Sequence, residues 1–134
     1  MYRNLLILAG YVGNDPEART TSSGVKVVNL RLATSYSYKD RKTGEQAQHT
    51  TWHNLVFYDW LADIAMGYAK GDNIYAEGMQ LSREWTPADG HKRTVMEMRV
   101  ERSAKLDRAP QDSQPSEDDA PPAEGEPADG KWPA

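Results

Sequence analysis

Residues 48–78 read QHTTWHNLVFYDWLADIAMGYAKGDNIYAEG, and within them the spacing of the apolar side chains changes twice. From Gln48 to Tyr58 the period is two. His53, Leu55 and Phe57 fall on one face of an extended chain; Trp52, Asn54, Val56 and Tyr58 fall on the other. Such alternation marks a half-buried strand, and the face with Leu55 and Phe57 is the better core face. From Leu61 the period lengthens. Leu61, Ile64, Ala65 and Tyr68 stand at i, i+3, i+4 and i+7, one face of a short helix. Asp59 is placed to cap its start and Gly71 its end. Strand character returns at Asn73 and runs to Glu84.

Further out, the patterns are again those of strands. Leu5 to Val12 is an apolar run that stops at Gly13-Asn14-Asp15-Pro16, a strong turn signal. A polar segment, Thr20 to Gly24, follows. Val28, Leu30, Leu32 and Thr34 then alternate with Asn29, Arg31, Ala33 and Ser35. Lys39 to Glu45 reads as a charged hairpin loop. At the far end, Met96, Met98 and Val100 alternate with Glu97, Arg99 and Glu101 after a Pro87–Gly90 turn. The order is three strands, one helix, two strands. This predicts a mainly all-β fold, a five-stranded OB-fold barrel with one short helix between strands 3 and 4. An SH3-like barrel or a small sandwich shares the strand count; the helix after the third strand favours the OB barrel.

The charge is unevenly spread. Residues 1–106 hold 14 Lys+Arg against 12 Asp+Glu, whereas residues 107–134 hold 2 against 8. The overall charge of −4 therefore belongs to the end of the chain, and the body is mildly basic. Six of the eight prolines also lie beyond Leu106, with few large apolar residues. That composition cannot offset its ordering entropy. The expected division is a folded domain over 1–106 and a disordered, acidic, Pro-rich tail over 107–134. The absence of cysteine excludes disulfides and thiolate metal sites. The apolar run from Leu5 to Ala9 is too short for a membrane span or a signal-peptide core. A soluble cytoplasmic protein is expected.

Aromatic residues occupy polar strands. Trp52 lies in Thr50-Thr51-Trp52-His53-Asn54 and Trp85 in Ser82-Arg83-Glu84-Trp85-Thr86. Trp52 and Tyr58 share the non-core face of one strand, about 20 Å apart at the usual rise per residue. Tyr36 and Tyr38 keep the core-side parity of the preceding strand but run toward the charged loop, where Tyr38 is followed by Lys39 and Arg41. Rings interleaved with cations suit a ligand that alternates flat bases with phosphates. A ring in a strand is also common core filler, and most charged loops are merely solvated.

Taken together, these residues resemble the bacterial single-stranded DNA-binding protein (SSB) family over residues 3 to about 106. The matching pieces are Asn4 to Gly10, Gly13 to Glu17 with Arg19, Asn29 to Ser35, Lys39 to Glu45, Thr51-Trp52-His53, Leu61-Ala62-Asp63, and Glu77-Gly78 seven residues before Trp85. The resemblance implies sequence-independent binding of single-stranded DNA in replication, recombination and repair, with no catalysis and no cofactor. Tyr38, Trp52, Tyr58 and Trp85 are the stacking candidates. Trp60 either adds a platform or staples the helix start. Arg3, Arg19, Lys39, Arg41, Lys70, Arg83, Lys92 and Arg93 are the candidates for phosphate contacts. The family further implies a homotetramer, with Leu6 and His53 at subunit contacts, and a nucleoid-associated location.

The chain also departs from the family pattern. Asn54 stands where a cation is common, Asp59-Trp60 replaces a usual Gly-Lys, and Glu84 sits beside Trp85. These changes should weaken phosphate contacts and flatten the salt dependence of binding. The family's acidic tail ends in an apolar tip with a terminal Phe that recruits replication and repair proteins. Here Asp129-Gly130-Lys131 precedes Trp132 and Pro133, the candidate tip residues. An OB-fold adaptor, similar to a primosomal accessory, is the alternative; its rings would form a docking patch for replication proteins. A nuclease finds little support. His49, His53 and His91 are scattered, and the first two, four apart on a strand, make no compact metal site.

Overall fold

A computed structural model describes residues 1–106. The expected tail and the tip residues Trp132 and Pro133 lie outside the described residues. The elements are β1 (Leu6–Val12), β2 (Glu17–Thr20), β3 (Lys26–Lys39), β4 (Gln46–Tyr58), α1 (Trp60–Ala65), β5 (Asn73–Trp85) and β6 (Arg93–Lys105). The sheet order is β1-β5-β6-β4-β3-β2, and β1 also pairs with β3, which closes a five-stranded barrel. All pairings are antiparallel except β4 with β6, which meet in parallel at Leu55↔Met98 and Val56↔Arg99. The predicted OB barrel, with its helix between the third and fourth barrel strands, is the fold observed.

β2 is an addition to the five expected strands. Its four residues alternate no apolar side chains, so no periodicity announced it. It hydrogen-bonds to Lys26–Asn29 of β3 through a tight turn, where Thr21 N–H donates to the Val25 carbonyl at 2.9 Å. β1 and β2 thus share one edge of β3, separated by the Gly13–Pro16 turn. Asn14 fills the gap: its Oδ1 accepts from the Arg31 backbone N–H at 2.8 Å.

The core faces of the strands meet inside the barrel. Val28, Leu30 and Leu32 from β3 pack with Leu55 and Phe57 from β4, Ile74 and Ala76 from β5, and Met98 and Val100 from β6. Leu61, Ala62 and Ala65 close one end. Tyr68 joins them edge-on to Phe57, with ring centroids 6.3 Å apart. Three details differ from expectation. The helix ends at Ala65, and Tyr68 reaches the core from the turn that follows, while Gly71, at φ +91°, turns the chain into β5. The Asp59 side chain makes no cap; its backbone carbonyl accepts from Ala62 N–H instead. Met96 is 49% exposed although it keeps the parity of Met98, because β5 and β6 run past the end of the core there.

β1 can bridge β3 and β5 only because Gly10 has no side chain. A Cβ at Gly10 would lie 2.1 Å from the Ala33 carbonyl oxygen, a backbone atom that cannot move aside. Asp59 shows the opposite case. It is the only non-glycine residue described with positive φ, at φ 59° and ψ −127°, a conformation that strains a residue with a Cβ. Gly10→Ala is therefore expected to destabilise the fold by about 3 kcal/mol. Asp59→Gly is expected to stabilise it by about 1 kcal/mol, since strain relief outweighs the added freedom of the unfolded chain. Urea denaturation midpoints read both.

Candidate nucleic-acid interface

Strand register decides which side chains share the outside of the barrel. On β3 and β4, Ala33 faces Trp52, Arg31 faces Asn54, Asn29 faces Val56 and Val27 faces Tyr58. Arg19 of β2 pairs with Val27 and extends the same face past Tyr58. On the other side, Val56 meets Arg99 of β6, Glu97 pairs with Leu81, Val95 with Arg83 and Arg93 with Trp85. Trp52, Tyr58 and Trp85 therefore lie on one continuous outer face that crosses five strands, from β2 to β5.

The two large rings on the outer face of β4 each have a cation over them. The Arg31 guanidinium lies 5.2 Å from the Trp52 centroid, and that of Arg99 lies 4.7 Å from Tyr58. These are cation–π distances. The side of Trp52 is also held by backbone: a Cβ at Gly13 would come within 2.2 Å of the indole. Neither arginine was among the sequence candidates. Both were visible as polar members of alternating strands, but only the register shows that they cover the rings.

Polar atoms are buried on this face at some cost. Asn29 Oδ1, Asn54 Oδ1 and Trp85 Nε1 are buried with no hydrogen-bond partner among the described residues. Each such atom costs about 1–3 kcal/mol. All three residues share the outer face with the rings, as their register shows.

The cations near Trp85 are largely committed. Arg83 pairs with the buried Glu97 carboxylate at 3.2 Å, Lys92 with Glu84 at 3.2 Å, and Arg93 with Asp89 at 2.9 Å. Backbone N–H from His91 and the Arg93 guanidinium hold the Asp89 carboxyl below the ordinary range. Lys39 and Arg41 stand exposed at the β3–β4 tip. Arg3 lies in the exposed segment before β1, and Lys70 lies in the turn after α1, beside Asp15. Neither belongs to a strand of the ring face.

The remaining candidates fall elsewhere. Tyr38 is 46% exposed and points to the opposite side of the β3–β4 hairpin from Trp52. Trp60, the first residue of α1, is 62% exposed. Leu6 packs on the rim of the core, so parity turns Leu5 and Ile7 outward, each about half exposed. Leu6 and His53 both line a cleft of about 480 Å³ where β4 and β6 splay apart. His53 Nε2 and Thr34 Oγ1 are hydrogen-bonded at 2.8 Å. Among the described residues, no cluster of three or more His, Asp or Glu side chains is placed to hold a metal ion, and no helix is long and apolar enough to cross a membrane.

Burial pushes the His53 imidazole below its ordinary pKa. The folded state thus favours the neutral ring. Its contribution to stability is present in full above the unfolded-state value of about 6.5 and is lost as pH falls through the lower folded-state value. The thermal midpoint should therefore drop as pH falls below about 6.5, and His53→Gln should remove part of that drop. Equal pH slopes in the two proteins would show that the buried ring is not the source.

Comparisons with known proteins agree with this geometry. The single-strand binding protein family model matches residues 3–106. Among solved structures, the Plasmodium falciparum SSB in complex with ssDNA superposes with a TM-score of 0.70 and 29% identity, covering 80% of this chain and 97% of that one. A deletion mutant of the single-stranded DNA binding protein from Thermus aquaticus gives 0.67 and 25%, covering 78% of this chain and 51% of that one. The present chain thus spans about half of the Thermus chain. A closed barrel with its helix after the third barrel strand, rings on its outer sheet face and a match across the whole described barrel lead to one conclusion: the chain belongs to the single-strand binding protein family.

Proposed function

We propose that this chain binds single-stranded DNA without reading its sequence and protects it during replication, recombination and repair. The observation that carries this reading is the single outer face that holds Trp52, Tyr58 and Trp85, with Arg31 and Arg99 over two of the rings. Bases stack on such rings whatever their identity. Guanidinium groups beside them meet both base faces and phosphates. The chemistry is retention only: no bond in the DNA is made or broken. A homotetramer is the proposed assembly, with the outward apolar stripe of Leu5 and Ile7 added to Leu6 and His53 as candidate contact residues. The tail tip at Trp132 and Pro133 is the proposed contact for replication and repair proteins. Such a ligand places the protein on nucleoid DNA in the cytoplasm.

Stacking should dominate the affinity, because the cations around Trp85 already pair with carboxylates. Poly-dT should quench the tryptophan fluorescence at low salt; no quenching would refute the reading. Trp52→Ala should weaken binding by about 1–3 kcal/mol, and Lys92→Ala by less than about twofold, as expected for an exposed, already paired cation. Glu84→Gln releases Lys92. It should tighten binding and steepen the slope of log affinity against log salt by about 0.7, the value for one further phosphate contact on a single strand.

A further inference from the structure

The hairpin of β3 and β4 extends beyond the barrel core and is different on its two sides. On the Trp52 side the positions toward the tip are small and polar: Ser35, Ser37, Gln48 and Thr50, with Ser35 and Thr50 hydroxyls 2.8 Å apart. On the reverse side stand three rings. Tyr36 pairs across the ladder with His49, their centroids 5.5 Å apart, and Tyr38 lies 6.0 Å from Tyr36. Tyr36 is 62% and Tyr38 46% exposed, so this cluster contributes little to the core. A strand leaving Trp52 toward the tip finds no ring on Trp52's own side.

The way to the reverse side is open. Among the described residues, β4 pairs with β6 only at Leu55 and Val56, so its edge from Gln46 to Asn54 is unpaired there. The 480 Å³ cleft lies along this edge and is lined by Trp52 from one side of the hairpin and by His49 from the other. Beyond the rings, the tip presents Lys39, Arg41 and Lys42. Its carboxylates are Asp40 and Glu45, and Asp40 is turned inward to accept from the Lys42 backbone N–H at 2.8 Å. Rings followed by cations match bases followed by phosphates.

From this we infer that Tyr36 and His49, with Tyr38, form a second base-stacking surface on the reverse side of the hairpin, which a single strand reaches from Trp52 across the open edge of β4. The inference rests on the reading of the chain as a single-stranded DNA binder. It adds two contact residues and a path to that reading.

The test uses the full chain and a dT oligonucleotide of about 16 nucleotides, within the span of one such barrel. The Tyr36→Ala, His49→Ala double variant should bind on the order of tenfold more weakly, the loss expected for removed stacking. Tyr36→Phe, which keeps the ring, should bind like the parent. Ultraviolet cross-linking of the unmodified chain, with peptide mass mapping, should place adducts on Tyr36 or His49. If the parent quenches with dT but the double variant binds equally well, or if no adduct falls on either residue, the second surface is refuted and the general reading stands. If the parent itself fails to quench, the general reading falls. A change in the solution mass of the double variant, with or without loss of affinity, would show that the rings join copies of the chain, and would overturn the inference.

Discussion

The antiparallel ladder between β3 and β4 runs without a break from Val27↔Tyr58 to Lys39↔Gln46. Its register is a strong constraint. A slip by one residue would turn Leu30, Leu32, Leu55 and Phe57 into solvent and bring Arg31 and Asn54 into the core. The same register sets the ring face, because Trp52 and Tyr58 are placed outside by the burial of their neighbours. The ladder is also longer than the barrel needs. Its first half is clamped between β1, β2 and β6, and its second half projects as a hairpin with exposed rings and cations. Core and contact surface are therefore two consequences of one pairing.

The outer face is polar in an unusual way. Arg31 and Glu97 are each only 7% exposed, and Asn29, Asn54 and Trp85 bury atoms that the described residues do not pair. Such groups oppose folding unless something compensates. The core on the other side of the same strands supplies that compensation through apolar burial. The result is a rigid surface whose rings are already positioned: Trp52 is held by Gly13 and Arg31, Tyr58 by Arg99. Preorganised rings lose little freedom when a base stacks on them.

Much of this was legible in order but not in contact. Period-two spacing located β3, β4 and β6, an apolar run ending in a turn signal located β1, strand character returning at Asn73 located β5, and the shift to helical spacing at Leu61 located α1. Where the sequence reading went astray, the reason was local. β2 has no apolar alternation to detect. Tyr68 keeps a helical spacing but sits in a turn, since spacing alone cannot tell a helix from a compact turn that returns to the same core. Asp59 looked like a cap by residue type, yet at its positive φ the side chain makes no cap hydrogen bond, and the backbone carbonyl accepts from Ala62 N–H instead. Met96 follows the parity of the core strand beyond the point where the core stops.

Alternation of side chains along a strand is a property of the backbone, so the barrel, its core and the outward parity of Trp52 and Tyr58 could be read from residue order. The uneven spread of charge was visible in the same way. Neighbours across strands are another matter, because residues distant in the chain meet only once the sheet closes. That closure put Arg31 over Trp52 and Arg99 over Tyr58, joined Trp85 to the same face, and tied Arg83 to Glu97. It also left the edge of β4 open beside Trp52, since two parallel pairs are all that the twisted barrel allows β4 and β6 to share before they diverge.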